Sequence, residues 1–321
     1  MILAGDVGAT KILLEVGEIR SGAWKPALER RYESGEVTFA EALGRFVDEA
    51  KTLGNERIDA AAFGAAGPRI GNTVKMTNRP WSVDGDAVVN RFGIPKVRIV
   101  NDLEASARGL ELLPESELET IQPGVAIDQA PRVVMGVGTG LGVAYLIGCG
   151  NQYVAVPGEG GHATFAPVTP RQVELVHAIR AAKGRVSNED ILSGTGLSRI
   201  YEFVMARADV AIPSNDALRP DRISLAALQG IDEMSMTALD IFVECIGSVA
   251  GDHALNVMAH GGVFLTGGIV AKILPHLKSE HFRAAFCAKG AHSNLLQHFP
   301  VKAALSERLP VFGAAAFAAQ L

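Results

Sequence analysis

The sequence predicts an α/β protein built as two related halves. Three observations carry the prediction. In the first half, short apolar runs of strand character alternate with stretches of helical spacing, the pattern of a sheet covered by helices. A strand–glycine turn–strand unit at residues 1–17, MILAGDVGATKILLEVG, returns at residues 132–148 as RVVMGVGTGLGVAYLIG. An Asn-Asp pair, Asn101-Asp102, stands where a strand gives way to a helix, the edge at which open α/β sheets bind their ligands. Two hairpins with glycine turns, one per half, suggest a duplicated two-lobed architecture with phosphate held between the lobes. Any one such turn also has a local reading, since glycine turns close hairpins for purely backbone reasons.

Taken in order, the opening apolar run enters the turn GDVGAT (5–10). This is not a P-loop, because Thr10 occupies the place of the second glycine, and it lacks the Gly-x-Gly-x-x-Gly of dinucleotide sites. Both of those motifs also run straight into a helix, whereas KILLEVGEI (11–19) reads as a second strand. Residues 38–54 have helical spacing, with Thr38 and Glu41 placed as a capping box. Residues 57–68 read as a buried strand, 73–81 as a short strand and turn, 85–93 as a short helix, and 96–113 as strand, Asn-Asp, helix. Residues 122–132 are the expected inter-lobe loop.

The second half opens with the repeated hairpin and continues through PGEGGH (157–162) and SNEDILSG (187–194). The segment from Ala206 to Gln229 is expected to be irregular and to lie on the surface. A long helix follows over 235–259, in which Gly247 and Gly251, four apart, suit close helix packing. Residues 261–273 read as a buried strand, a Gly-Gly turn and a helix start.

The 321 residues suffice for two substantial cores. A net charge of −5 without a basic run gives no support to nucleic acid or an anionic membrane as partner. The most apolar segment, 311–321, is too short to span a bilayer, and no signal peptide is expected. Cys149, Cys245 and Cys287 are far apart, which fits reduced thiols in a cytoplasm and not a zinc site.

Several positions carry possible chemistry, each beside a plainer reading. Asp6 could stand beside a nucleotide-bound Mg²⁺, usually through water, or bond its own turn backbone. Thr10, Thr139 and the N–H groups around Gly8 and Gly138–Gly140 could donate to phosphate oxygens. Lys11 adds a nearby positive charge or points to solvent. Asp102 could accept the proton of an attacking hydroxyl, or cap the helix that follows. Glu159, His162 and Glu189 suit a sugar, whose hydroxyls both donate and accept. Glu189 could instead complement a helix N-terminus, and His162 could be a hydrogen-bonded structural histidine.

Together, GDVGAT, MTN, IVNDLEA, GVGTGLGVA, PGEGGH, SNEDILSG, ALNVMAHGGVFLTGGIV and FRAAF occur in the order and spacing of the bacterial glucokinases, which the chain resembles essentially from end to end. The resemblance implies an actin- and hexokinase-type fold: two ribonuclease-H-like lobes around a central cleft, one spanning 1–110 plus 301–321 and the other 111–300. It implies transfer of the ATP γ-phosphate to the 6-hydroxyl of glucose with Mg²⁺, in a cytoplasmic enzyme expected as a homodimer.

By motif, Gly5, Asp6, Val7, Gly8, Ala9 and Thr10 match the first phosphate loop, with Asp6 facing the metal. Gly138, Thr139 and Gly140 match the second, and Gly267 and Gly268 the nucleoside segment. Asp102 matches the general base, with Asn101 beside it on the sugar, while Glu159, His162 and Glu189 match the sugar-hydroxyl ligands and Asn78 lines the same pocket. Two departures stand out. The first loop commonly reads Gly-Gly-Thr-Asn where this chain has Gly-Ala-Thr-Lys, so Ala9 demands a backbone that tolerates a Cβ. The cysteine-rich zinc motif of the repressor/open-reading-frame/kinase sugar kinases is missing. A kinase for another hexose, a sugar-sensing regulator (with no helix-turn-helix expected ahead of residue 4) and an actin- or chaperone-like ATPase are the rival expectations.

Overall fold

The computed structural model describes residues 1–321 except 53, 55, 56, 78, 212–215 and 217. Asn78, assigned to the sugar pocket by its motif, lies outside the described residues. Contacts divide the chain into two compact units: 1–118 with 152–157 and 306–321, and 119–151 with 158–305.

The first unit begins with β1 (Ile2–Val7), β2 (Lys11–Arg20) and β3 (Ala23–Glu33). Helix α1 (Phe39–Thr52) follows, capped as its spacing predicts: Thr38 N–H donates to Glu41 Oε2 at 2.8 Å, and Glu41 N–H to Thr38 Oγ1 at 3.3 Å. Next come β4 (Ala60–Ala65) and a small three-stranded sheet of β5 (Arg69–Ile70), β6 (Thr73–Lys75) and β7 (Ser82–Asp84), the outer two strands of which periodicity does not reveal. Then follow α2 (Gly85–Phe92), β8 (Val97–Asn101) and α3 (Asp102–Gly109). The main sheet has the order β3-β2-β1-β4-β8. β1 pairs antiparallel with β2 and parallel with β4, and β4 pairs parallel with β8. Phe46, Phe63, Leu3, Ile12, Leu14 and Ile99 fill its core.

After β9 (Leu118–Gln122), the second unit repeats this plan with β10 (Arg132–Val137) and β11 (Leu141–Cys149) as an antiparallel hairpin. β12 (Gln152–Gly158) leads to α4 (Pro170–Lys183), α5 (Asn188–Ile191), α6 (Gly194–Arg207), α7 (Pro220–Gln229) and α8 (Glu233–Val257). Then come β13 (Gly262–Thr266), α9 (Gly268–Lys272), α10 (Leu274–Leu277), α11 (Glu280–Cys287), α12 (Ser293–Leu296) and β14 (Val301–Ala304). The order β11-β10-β13-β14, with β13 parallel to both neighbours, matches β2-β1-β4-β8. The repeated hairpin of the sequence is thus a repeated supersecondary unit.

Helix α7 corrects the expectation of irregular chain up to Gln229. It starts on Pro220, ends on Gly230 in the left-handed region (φ 67°), and buries Ile223 and Ala227. Helix α8 is long and apolar enough to cross a membrane by length and composition, but it is largely buried, packing on α6, α7 and α11. Gly247 and Gly251 make that packing possible: a Cβ would stand 2.4 Å from the Phe282 carbonyl oxygen at the first and 2.5 Å from that of Phe286 at the second.

The last helix, α13 (Leu309–Ala318), returns to the first unit and crosses α3 at a pair of glycines. A Cβ on Gly313 would lie 1.7 Å from the Ala105 carbonyl oxygen, and one on Gly109 2.1 Å from that of Leu309. The chain's end therefore buttresses the helix that begins at Asp102. Its start is fixed by buried Glu15, which accepts Arg308 Nε at 2.8 Å and Nη2 at 2.7 Å.

Candidate functional site

The residues singled out by sequence fall into two groups, one in each unit. In the first unit, Gly5, Asp6 and Val7 belong to β1, with their backbone in register with both β2 and β4. The turn proper is Gly8, Ala9 and Thr10. Its carbonyls are tied back to the protein: Ser34 Oγ donates to the Gly8 carbonyl at 2.9 Å, Arg79 Nε to that of Ala9 at 2.7 Å, and Ser34 N–H to that of Thr10 at 2.9 Å. The Gly8 N–H is not available to a ligand as expected, because it closes the turn on the Lys11 carbonyl at 2.9 Å. Among the described residues the N–H groups of Ala9 and Thr10 have no protein acceptor and are the donors this turn leaves over. Ala9 is absent from the positive-φ residues, so its Cβ is no obstacle. Ser34 and Arg79 were missed by sequence reasoning; no local pattern marks partners so far apart in the chain.

Asp6 is 9% exposed, and no hydrogen bond reaches its carboxylate among the described residues, which removes the turn-bonding reading. Burial, and next the charge of Asp102, push its carboxyl from 3.8 up to about 7, with Lys11 pulling the other way. The two acids approach across Gly64, which pairs with Asp6 in the parallel register. A Cβ on Gly64 would stand 3.0 Å from that of Ala105 and 3.5 Å from the Asp102 Cα. Lys11 does not point to solvent: its ammonium lies 2.8 Å from Glu307, whose carboxyl it lowers.

At the end of β8 the structure separates the roles of Asn101 and Asp102. The N-cap of α3 is Asn101, whose Oδ1 accepts from Leu103 N–H at 2.9 Å and Glu104 N–H at 3.3 Å. Glu104 completes a capping box by accepting the Asn101 N–H at 3.4 Å. Asp102 is the first helical residue, at the positive end of the dipole, with Oδ1 2.9 Å from the Leu103 nitrogen. Asn101 Nδ2 also donates to the Gly67 carbonyl at 3.2 Å, which leaves one amide hydrogen for a ligand. Glu104, 2% exposed and flanked by Arg69 at 3.8 Å and Arg98 at 3.9 Å, was not singled out by sequence, although the Asn-x-x-Glu spacing carried the signal.

In the second unit, three motifs distant in sequence meet. The Gly138 N–H closes its own turn on the Gly140 carbonyl at 2.9 Å, so here too the donors left over come from the following residues, Thr139 and Gly140. Glu189 lies in the first turn of α5, where its charge complements the helix N-terminus, but the cap itself is made by Ser187 and Asp190. Instead Glu189 Oε2 accepts the Leu141 N–H at 2.9 Å, in space that a Cβ on Gly140 would invade at 2.5 Å. The PGEGGH turn is held by Asn188 Nδ2 on the Gly160 carbonyl (2.9 Å) and Arg185 Nη2 on that of His162 (2.7 Å). Glu159 and His162 project from this anchored turn, exposed, with Oε2 and Nε2 4.0 Å apart. No hydrogen bond ties the His162 imidazole among the described residues, so it is not a structural histidine.

Gly138 and Thr139 also line a cavity of about 350 Å³ together with Gly268 and Ile269 of α9 and Gly194 and Leu197 of α6. Gly194 N–H donates to the Gly138 carbonyl at 2.9 Å, joining α6 to the turn. Pro220, Asp221 and Ser224 of α7 complete one wall; sequence reasoning missed them because it left that segment irregular. Gly267 has φ 106°, and a Cβ there would sit 2.4 Å from the Val137 carbonyl oxygen. Gly267→Ala is therefore expected to cost about 1–3 kcal/mol, read as a fall in Tm; an unchanged Tm would show that the turn relaxes without strain.

A carboxylate as buried as Asp6, with an acid facing it and no hydrogen-bond donor, suits a cation. Among the described residues no cluster of three or more His, Cys, Asp or Glu side chains could hold a metal by itself. Mg²⁺ asks the protein for only one or two carboxylates beside waters and substrate phosphates, and the buried Asp6 carboxyl is of the kind that could supply one.

Comparison with known proteins agrees over the whole chain. The sequence model of the family described as Glucokinase matches residues 3–321. A glucokinase of Mesorhizobium japonicum is 37% identical over 318 residues, covering 99% of this chain and 91% of the relative. A glucokinase of Nostoc sp. is 34% identical over 347 residues, covering 100% and 99%. The crystal structure of a glucokinase from an Antarctic psychrotroph superposes with a TM-score of 0.88 at 27% identity, covering 100% of this chain and 99% of that one.

Proposed function

Because the chain belongs to the glucokinase family, and is accordingly an enzyme that phosphorylates glucose with ATP, we propose that Asp102 is its general base and that the two glycine turns hold the nucleotide phosphates. The observation that carries this reading is the division of labour at the end of β8. Asn101 caps α3, and the Asp102 carboxylate stands at the helix N-terminus facing Asp6.

In this reading, Asp102 takes the proton of the glucose 6-hydroxyl as that oxygen bonds to the γ-phosphorus. The bond from phosphorus to the bridging oxygen breaks, and ADP leaves with its electron pair. The unpaired N–H groups of Ala9, Thr10, Thr139 and Gly140 orient the phosphate oxygens, and the cavity beside Gly138 and Gly268 takes the nucleoside. Asp6 would hold Mg²⁺, with Asp102 close by, and that ion would neutralise charge developing on the phosphoryl oxygens. Glu159, His162 and Glu189 bind the remaining sugar hydroxyls, with Asn101 donating one amide hydrogen. The enzyme works in the cytoplasm as a homodimer, a setting compatible with its three free cysteines.

Formation of ADP that depends on glucose tests the activity, and a hexose panel tests the choice of sugar. Deoxyglucoses that lack a contacted hydroxyl are expected to lose about tenfold or more in kcat/KM, because the site's polar groups are left unpaired. Glu159→Gln is expected to hurt less than Glu159→Ala, since the amide still accepts one bond. Removing a hydroxyl and its partner together should cost less than the two separate losses added. Strict additivity for every deoxy sugar in variants of Glu159, His162 and Glu189 would place the sugar pocket elsewhere.

A further inference from the structure

Behind the PGEGGH turn lies a buried histidine that the reaction above does not use. His253, on α8, is 6% exposed. Its Nδ1 is 2.9 Å from the hydroxyl of Tyr145 on β11, the strand that leaves the second phosphate turn. Its Cε1 would stand 2.7 Å from a Cβ built on Gly160, so the imidazole rests against the backbone of the turn between Glu159 and His162. Val143, on the same strand as Tyr145, presses on Gly160 from nearly as close, at 2.8 Å.

We propose that His253 is a positioning residue for sugar binding: a polar wedge, fixed by Tyr145, that sets the height at which the turn presents Glu159 and His162. The inference rests on the reading of those two residues as sugar-hydroxyl ligands.

Three features support a wedge over an ordinary core residue. Only glycine allows the turn to sit this close to the ring, so the approach is built into the sequence at Gly160. The turn is also held by Asn188, which donates to the Gly160 carbonyl, so a second polar side chain fixes its position. Burial keeps the imidazole below the ordinary histidine value, against a smaller upward pull from Asp252, whose own carboxylate is paired with Lys289 at 2.6 Å. A neutral ring retains an acceptor nitrogen for Tyr145, and loss of that bond would let the ring rotate away from Gly160.

The test compares wild type with His253→Ala, His253→Gln and Tyr145→Phe, using Glu159→Ala as reference. Glucose affinity is measured by calorimetry without nucleotide, and KM for glucose and for MgATP by coupled assay. His253→Ala is expected to weaken glucose about tenfold while KM for MgATP stays within about twofold, and His253→Gln to recover most of the loss. Tyr145→Phe should fall between wild type and His253→Ala. Glucose affinity within about twofold of wild type in His253→Ala overturns the proposal. So does an equal loss for glucose and MgATP, which would mark His253 as general fold support, and so does a Gln variant no better than Ala. If His253→Ala fails to fold, Tyr145→Phe and His253→Gln decide by the same criteria. If Glu159→Ala also leaves glucose binding intact, it is the sugar-ligand reading that falls; if Glu159→Ala abolishes binding while the His253 variants match wild type, only the inference about His253 falls.

Discussion

Asp102→Asn is expected to lower turnover by about 10²–10⁴-fold while changing glucose affinity little. The substitution keeps the shape of the side chain and a carbonyl oxygen facing the Leu103 nitrogen, now 2.9 Å from Asp102 Oδ1. It removes the negative charge and, with it, the ability to accept a proton from the 6-hydroxyl. The cap of α3 should persist, because Asn101 and Glu104 form the capping box independently of Asp102. Had Asp102 been the cap, Asp102→Ala would cost about 0.5–2 kcal/mol. The measurement is therefore paired: steady-state turnover together with thermal unfolding. Near-normal turnover in a folded variant removes Asp102 from the mechanism. A loss of about 1 kcal/mol or more of stability in Asp102→Ala would return the residue to the capping reading.

Asp6→Asn is expected to reduce kcat/KM for MgATP by about 10²–10³-fold and to leave glucose binding to the free enzyme largely intact. It should also make the unliganded protein more stable above neutrality. The sign follows from the direction of the shift. Burial raises the carboxyl of Asp6 to about 7 in the fold, against 3.8 ordinarily. The stability that comes from keeping it protonated is full below the ordinary aspartate value and lost as pH rises through about 7. The neutral amide has no such loss. The Tm of Asp6→Asn should therefore draw ahead of wild type between about pH 4 and 7 and then keep a constant lead of about 2 °C or more. Mg²⁺ with nucleotide should raise the Tm of wild type at pH 8 by more than that of the variant, because only an ionised carboxylate attracts the cation. A Tm difference that ignores pH would mean that Asp6 is ionised in the fold throughout. Collapse of glucose binding with normal MgATP kinetics would move Asp6 out of the phosphate site.

Much of the framework around this site was legible in the sequence alone. The strand–turn–strand reading of residues 1–17 and 132–148 rests on alternation and on glycines at the turns, and both hairpins form as read. The capping box at Thr38 and Glu41 depends on four consecutive residues, and so does the helix start at Asp102. The glycines at 247 and 251 announced a close helix crossing, and α11 supplies the partner. Local spacing fixes such features because the hydrogen bonds involved span only a few residues. The order of eight motifs then pointed to the glucokinase family, to which the chain belongs.

Tertiary structure decided what depends on distant partners. Sequence placed Asn101 and Asp102 side by side but could not say which would cap α3; the backbone at the end of β8 gives that role to Asn101. It could not foresee that Lys11 would pair with Glu307, 296 residues away, or that Ser34 and Arg79 would turn the carbonyls of the first loop inward. Nor could it show α7 lining the cavity beside the second loop, since a short helix with a modest apolar face looks like surface until its neighbours are known. The protonation of Asp6 is of the same kind. The residue type fixes an ordinary carboxyl, and only burial opposite Asp102, across a glycine that lets α3 approach, makes it titrate near neutrality. Residue types and short spacings thus determined the elements and the inventory of reactive groups, because those follow from local backbone geometry. Which groups face one another, and in what dielectric, was set by packing between segments far apart in the chain.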